Sequence, residues 1–515
     1  MALQISYLSL AASAVAAFIL YWIVLVIYRL YFHPLSKFPG PKLAAATLWY
    51  EFYYDVNKKG TYIWKIKELH EEYGPIIRIS PHALHVNDPD FYDVYSGRPG
   101  EKRNKYKWAV THFNTPEAML ATVDHSHHRL RRAPVAPFFS KANVRKLDYI
   151  LHENLSKFRR QLQKRESTHE PFNILDGFKA LTGDVITTYA FGQSNNNLDL
   201  EDFNAGFWKL FHDLSAQGTP NNHFQWILPT IRALPDWMHR AMGMEYVLAW
   251  EKKSKAQLKA IISNSDLKEK EEPMIFREVL NSDLPPEEKT IDRLWHDGQT
   301  FNIAGAETTA WTLGILTYYL LSQPEILRRL QEELGGVVKD GKVEETSTAE
   351  LEQLPYLTAV IKEGLRMSFG VAGRLYRISP DKAQVFKDGK KEWIIPAGTP
   401  IAMTIPLLHL NPTTYPSPET FNPDRYLDNP SLDRYLFSFS KGPRACVGMN
   451  LAWAELYNTV AGIFGHYGVG GEGNGEERPT MRLWKTTEED VKTMHDYFVP
   501  FPWEGSQGVR VVVSS

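Results

Sequence analysis

A single cysteine, Cys446, occurs among 515 residues, so the chain has no internal disulfide, and that one thiol stands in an unusual place. It lies in FSKGPRACVG, Phe439 to Gly448, directly ahead of NLAWAELYNTVAGIFGHY, whose apolar residues recur at helical spacing. A thiol just before a helix N-terminus meets unpaired N–H groups and the positive end of the helix dipole, both of which favour thiolate. Gly442 permits a tight turn and Gly448 lets a flat group approach the backbone. Arg444 supplies a cation two residues away, and Phe439 can shield the sulfur from water. Such a sulfur suits a metal ligand, and this set of neighbours suits a thiolate axial ligand to haem. The bland alternative is a small buried hydrophobe.

The run fits F-x-x-G-x-R-x-C-x-G and so resembles the signature of the cytochrome P-450 monooxygenases, the haem-thiolate family. The resemblance implies haem b, iron protoporphyrin IX, held by Cys446, and a mainly α fold with a small β-rich part. Further motifs keep the family's order. AGAETT, Ala304 to Thr309, interrupts the long apolar segment Ile291 to Leu321. The resemblance implies that Ala304, Gly305, Glu307 and Thr308 face an oxygen site, with Thr308 as proton relay and Glu307 as its feeder. Taken alone, Thr308 reads as back-bonded to its own helix and Glu307 as an ordinary salt bridge.

Glu363 and Arg366 in VIKEGLRMS share one helix face, and the resemblance joins them with Arg425 of FNPDRY into a buried structural ion network beneath the haem. His128 and Arg132 occupy the two ends of the family's W-x-x-x-R propionate helix, with His where Trp is usual. Histidine keeps a hydrogen-bond donor, loses stacking area and gains sensitivity to pH. Arg377 and Arg444 complete the cofactor-binding set with Phe439 and Gly448, and Arg374 competes with Arg377 for the same role.

Residues 5–28 are uncharged and almost wholly apolar, long enough for one transmembrane helix. Arg29, Lys37 and Lys42 follow it and no Lys or Arg precedes it, which predicts a cytoplasmic catalytic part on an endoplasmic reticulum membrane. A cleaved signal peptide fits less well, lacking a charged start and a small-residue cleavage site. Asn154-Leu155-Ser156 fits a glycosylation acceptor that this topology keeps from its enzyme. Residues 29–45 form a hinge in which Pro34, Pro39 and Pro41 stiffen an extended chain, and 46–515 form the monooxygenase domain.

Beyond the hinge, Tyr62 to Tyr73 reads as helix, PIIRISP and ALHVNDP as a short hairpin, and Asp124 to about Leu330 as mostly helical. Asp266 to Thr290 and Val337 to Glu350 read as solvated connections. Gly468, Gly470 and Gly473 satisfy G-x-G-x-x-G but follow a helical pattern and run into a proline-broken stretch, so no dinucleotide site is expected there. No hydrolase elbow, zinc helix or phosphate loop occurs. A net charge of -2 gives no basic field, so no nucleic-acid partner is expected.

The implied reaction is insertion of one atom of O2 into an apolar small molecule, by hydroxylation or epoxidation. Electrons would come from NADPH through a separate cytochrome reductase. YRLYFHPLSKFPGPK and KELHEEYGPIIRISPHALHVNDPDFYD resemble microsomal fungal members of the trichodiene-oxygenase type, which implies a terpenoid or polyketide of secondary metabolism. Rival readings are a same-fold isomerase or dehydratase and a non-catalytic membrane haem-binding protein. Expected substrate walls are Lys105 to Phe113, Leu210 to Trp226, Phe301, Phe369 to Ala372 and Phe498 to Phe501.

Overall fold

The computed structural model describes residues 7–113, 115–263, 274–338, 342–469 and 478–515, chiefly as helix with four small sheets. Helix Tyr7–Ile27 runs on through a wider turn at Tyr28–Phe32, and Ser9–Phe32 has a mean hydropathy of 2.6 with none of it buried against protein. It is long and apolar enough to cross a membrane. Ile5, where the expected span begins, lies outside the described residues.

The prolines end the helix as predicted, but the segment after them is not a free extended spacer. Leu35 and Phe38 are buried, and Phe38 stacks on Trp393 with ring centres 5.4 Å apart. Arg78 donates from Nη1 to the Arg29 carbonyl at 2.7 Å, and Arg29 donates from Nη1 to the Ala46 carbonyl at 2.8 Å. Gly40, at φ 141°, lies so close that a Cβ there would sit 2.6 Å from the Arg78 carbonyl oxygen. Buried apolar side chains and saturated backbone groups together fix this stretch to the first strand.

That strand, Ile76–Arg78, pairs antiparallel with Leu84–Val86, Ile76 opposite Val86, behind helix Tyr62–Tyr73 as the sequence predicts. Leu84–Val86 runs parallel to Pro400–Met403, which pairs antiparallel with Leu375–Ile378. A hairpin of His495–Tyr497 and Val499–Phe501 stands apart, with Phe498 at its tip.

The core gathers on the central helix Ile291–Ser322. Gly298, Gly305 and Gly314 let it lie hard against helix Ile174–Phe191, because a Cβ at these positions would come within 2.7, 3.0 and 2.3 Å of Phe191, Ile186 and Leu175. Thr182 Oγ1 donates across this contact to the Ala306 carbonyl at 3.0 Å. Helices Asp148–Glu166, Pro324–Gly335, Pro355–Ser368 and Met449–Phe464 close the cluster around Leu316, Leu320, Ile361 and Val460. Each such fully buried aliphatic side chain contributes about 1.5–3 kcal/mol of transfer free energy.

Two expected connections are more ordered than their charge suggests. In the described part of Asp266 to Thr290, helix Ile275–Asn281 buries Ile275, Phe276 and Val279. In Val337 to Glu350, Val338 and Val343 are core residues, and Ser347 and Glu350 cap the short helix Thr348–Leu351. A few aliphatic residues hidden among lysines and glutamates decide the outcome there, which a charge count overlooks. Residues 470–477, and with them Gly470 and Gly473, lie outside the described residues. Asn154 is buried within helix Asp148–Glu166 and donates to the Ile150 carbonyl, so it presents no acceptor for a glycan.

Candidate active site

One cavity is walled by the central helix, the cysteine loop, helix His125–Arg132, strand Leu375–Ile378 and Phe498. Cys446 opens onto it. The loop is pinned by the Cys446 N–H donating to the Phe439 carbonyl at 2.9 Å, and by Gly442 at φ 70°, where a Cβ would meet the Ser96 carbonyl oxygen at 2.5 Å. Gly448 caps helix Met449–Phe464, and a Cβ there would meet nothing nearer than Phe139 at 3.9 Å, so its bare face leaves room. Burial lifts the thiol above its ordinary value, against the Gly448 N–H and Arg132, which act the other way. The helix start therefore does not by itself make the thiolate expected from sequence; a bound cation is what would hold the anion.

Ala304, Gly305 and Thr308 line the cavity on the central helix, with Phe301 and Thr300 one turn before. Thr308 Oγ1 donates to the Ala304 carbonyl at 2.8 Å, so the back-bonded reading of this hydroxyl holds alongside its exposure to the cavity. Glu307 is not part of the wall. It pairs with Lys179 of helix Ile174–Phe191 at 3.0 Å, because one step along a helix turns a side chain by about 100° onto another face. Glu307 thus does not line the cavity as expected, and beside the ion pair its buried Oε1 has no hydrogen-bond partner among the described residues. Gly305 serves the contact with Ile186 as well as the space in the cavity.

The opposite end of the cavity collects cations. Arg132 donates from Nη1 to the Ala445 carbonyl at 2.8 Å, and Arg444 gives three hydrogen bonds to the carbonyls of Arg103, Thr122 and Val123 at 3.0, 2.7 and 2.7 Å. Arg377 donates from Nη1 to the Tyr376 carbonyl at 3.0 Å and leaves its buried Nε without a partner. Lys105 donates to the Leu120 carbonyl, and burial with Arg377 and Arg444 nearby holds its pKa well below the usual lysine range. None of these four forms an ion pair with a carboxylate among the described residues. His128 sits with them, and burial followed by Arg444, Lys105 and Arg132 pushes its pKa down to about 2. It is thus neutral at ordinary pH rather than the pH-sensitive group expected.

Several buried cations without anions are costly unless something negative is bound. Two carboxylates at the rim of a flat ring, beside a sulfur and a helix with small residues, answer that demand. The residues present therefore fit haem, with Lys105 as a binding residue that the sequence reading placed only in a substrate wall.

Arg374 is excluded from this set by geometry. Its guanidinium is held by Glu51 at 2.6 Å and Asp55 at 2.7 Å, and Asp496 and His223 complete the cluster, His223 Nε2 lying 3.9 Å from Asp55. Burial raises Glu51 above the usual carboxylate range and pushes Asp496 up to about 6. Asp496 also accepts from the Phe498 N–H at 2.9 Å, so this cluster seats an aromatic wall of the cavity.

Glu363, Arg366 and Arg425 do form one buried network: Arg366 grips both Glu363 oxygens at 2.8 Å and Arg425 Nε reaches Oε1 at 3.0 Å. His409, unnoticed in the sequence, ties it to the cysteine loop. Its Nδ1 side bonds the Arg366 carbonyl at 2.9 Å and its Nε2 accepts from the Phe437 N–H at 2.9 Å, two residues before Phe439. Burial lowers His409 to about 3, which fixes it as a neutral connector.

The expected walls that face the cavity include Lys105, Tyr106, Phe113, Phe301, Val371 and Phe498, whereas among the described residues none from Leu210 to Trp226 does. Helix Ala205–His223 instead covers the Thr111–Phe113 turn, where Gly218 lies against His112.

The cytochrome P-450 family model matches residues 40–491. Curated relatives include the cytochrome P-450 monooxygenase tpcC of Cochliobolus heterostrophus, 39% identical over 96% of this chain and 95% of that protein. The tryptophan 6-hydroxylase fscE of Fusarium equiseti is 37% identical over 97% and 96%, and the N-acetyltryptophan 6-hydroxylase ivoC of Emericella nidulans is 36% identical over 96% and 95%. With the sulfur, cations that pair with no carboxylate among the described residues and the small residues of the central helix gathered on one cavity, this chain belongs to the cytochrome P-450 family and is a haem-thiolate oxidoreductase that works with O2 and a redox partner.

Proposed function

We propose that the chain is a membrane-anchored monooxygenase acting on an uncharged, apolar small molecule of fungal secondary metabolism, a terpenoid or polyketide, with NADPH-cytochrome reductase as its electron donor. The observation that carries this is the meeting of Cys446 Sγ, the Thr308 hydroxyl and an apolar, aromatic-rich wall in one cavity. Bound there, haem b supplies the chemistry in which O2, two electrons, two protons and a substrate C–H or C=C bond yield an oxygenated product and water.

The chain's own residues do the rest. Cys446 would hold the iron, and Phe439 and the Gly448 backbone border its sulfur. Arg132, Arg377, Arg444 and Lys105 would neutralise two propionates, and neutral His128 would donate one more hydrogen bond. Ala304 and Gly305 keep space open. Thr308 hands protons into the cavity when its hydroxyl leaves the Ala304 carbonyl, and Phe113, Phe301 and Phe498 exclude water. Glu363, Arg366 and Arg425 hold the loop from behind through His409.

A free amino acid, the kind of substrate named for fscE, fits this wall less well. Arg374 already carries two carboxylates, and the remaining cations sit at the propionate end. The positive charges after the anchor favour an endoplasmic reticulum location with the catalytic part in the cytoplasm.

Microsomes carrying the protein, reductase and NADPH, given candidate terpenoids and polyketides, should yield a product heavier by one oxygen, and Cys446→Ser should abolish both that product and the thiolate-type absorption of the reduced CO complex. A product formed without NADPH would favour the isomerase or dehydratase reading. Full turnover in Cys446→Ser would end the account.

A further inference from the structure

Where the anchor helix ends, four basic side chains meet with no acid among them. Arg29 and His33 come from the wide turn that closes the helix, and Arg78 and His82 come from the first strand and the turn after it. Arg78 is 2% exposed; its two Nη atoms donate to the carbonyls of Arg29 and Pro81 at 2.7 Å, and its Nε is buried with no partner among the described residues. Arg29 gives Nη1 to the Ala46 carbonyl, and its buried Nε is likewise unbonded. His33 Nδ1 accepts from the Leu35 N–H at 3.1 Å, which leaves the ring proton on Nε2 as a donor without an acceptor among the described residues. The His82 ring stands edge-on to it at 6.1 Å. Burial, then Arg78, His82 and Arg29, lowers His33 to about 4, and burial with Arg29 lowers Arg78 to about 10. Every charged neighbour that shifts His82 is also an arginine.

Carbonyl oxygens satisfy donors but cancel no charge, so two guanidinium groups side by side in half-buried surroundings still call for an anion. Pinning the chain to the sheet accounts for the three carbonyl bonds and leaves the two imidazoles and the missing counter-ion unexplained. The place supplies a candidate. At about 1.5 Å per residue, the 24 residues of Ser9–Phe32 reach about 36 Å, more than the ~30 Å of a bilayer's hydrocarbon, which would bring Arg29 to the layer of lipid phosphates. We propose that Arg29, His33, Arg78 and His82 form a binding site for the phosphate group of a net-anionic membrane phospholipid. Arg29 and the two imidazoles would donate to its oxygens, and Arg78 would add charge from behind. A zwitterionic headgroup carries its own cation, so two uncompensated arginines select lipids of net negative charge. The inference rests on the membrane placement above and not on the oxygenase reading.

The full-length, haem-loaded protein in uncharged detergent micelles tests this by titration with dioctanoyl phosphatidylglycerol, dioctanoyl phosphatidylcholine and inorganic phosphate, bound molecules being counted by native mass spectrometry. Phosphatidylglycerol should bind about tenfold or more tightly than phosphatidylcholine. His82→Glu places an acid in the cluster without touching the carbonyl bonds, so it should abolish that preference while leaving the lipid-free protein at least as resistant to heat. Equal affinity for the two lipids, or a preference that survives His82→Glu, overturns the proposal. Inorganic phosphate that displaces phosphatidylglycerol at equal concentration overturns it as well, because the site would then serve the free ion. Should His82→Glu fail to fold, Arg29→Gln decides, since it keeps an amide donor for the Ala46 carbonyl and removes one charge: an undiminished preference there also overturns the proposal. A protein that does not float with phosphatidylcholine vesicles fails the membrane placement instead, and the micelle titration then still decides whether the site exists.

Discussion

Two buried arginine clusters flank the cavity, and they handle charge in opposite ways. Around Glu363 there are two guanidinium groups for one carboxylate, and the surplus donors are taken up by the carbonyls of His409, Pro416, Pro418 and Thr420. Around Arg374 there are three carboxyl groups, Glu51, Asp55 and Asp496, for one guanidinium, and Asp55 Oδ1 has no hydrogen-bond partner among the described residues. Carbonyl oxygens do not titrate. The surplus donors of the first cluster are therefore fixed by groups that carry no titratable proton, whereas the second holds its charge balance by keeping protons on Glu51 and Asp496. The fixed one stands behind the cysteine loop and the proton-dependent one beside Phe498.

Removing the acid from the fixed cluster should do the most damage. Glu363→Ala leaves Arg366 and Arg425 buried without a counter-charge and should cost about 3–5 kcal/mol in chemical denaturation, with no recovery on changing pH. Arg374→Met should cost roughly 3 kcal/mol at about pH 8 but far less at about pH 5, since Glu51 and Asp496, both raised by burial, can then take up protons; equal losses at both values would break the contrast. His409→Ala, which leaves a cavity and an unbonded Phe437 N–H, should cost about 2 kcal/mol and speed haem loss without altering pH dependence.

Asp496→Asn sharpens the comparison with the smallest effect. The raised pKa of Asp496 means that the folded chain binds this proton more tightly than the unfolded one. Its stabilising share is intact below the ordinary carboxylate value and is lost as pH climbs through about 6. The parent should lose about 1–3 kcal/mol across that window, and Asn, which keeps the bond to the Phe498 N–H, should flatten the curve.

The loop around Cys446 was legible because its turn chemistry is local: Gly442 needs a positive φ, and the Glu363 and Arg366 pair needs only helical spacing. The choice between Arg374 and Arg377 was not, and strand geometry explains why. The two residues are three apart at one short strand and both border the cavity, so spacing ranks neither, and only the fold shows that Glu51 and Asp55 hold Arg374. Glu307 lies off the cavity wall for the related reason that a motif gives neighbours in sequence, whereas a helix separates adjacent residues by a quarter turn or more. His409 left no mark in the sequence, because its two bonds are to backbone groups of distant segments.

The bond from Arg78 to the carbonyl of Arg29, with Arg29 reaching on to Ala46, fastens the final turn of the anchor to the sheet. In the proposed membrane placement, rocking of that helix in lipid would be handed to the whole globule as tilt, not absorbed by a swivel. Anyone shortening this protein for work without detergent should cut ahead of Arg29: a start after the prolines would strip Arg78 of its acceptor and expose Leu35 and Phe38's docking site to water.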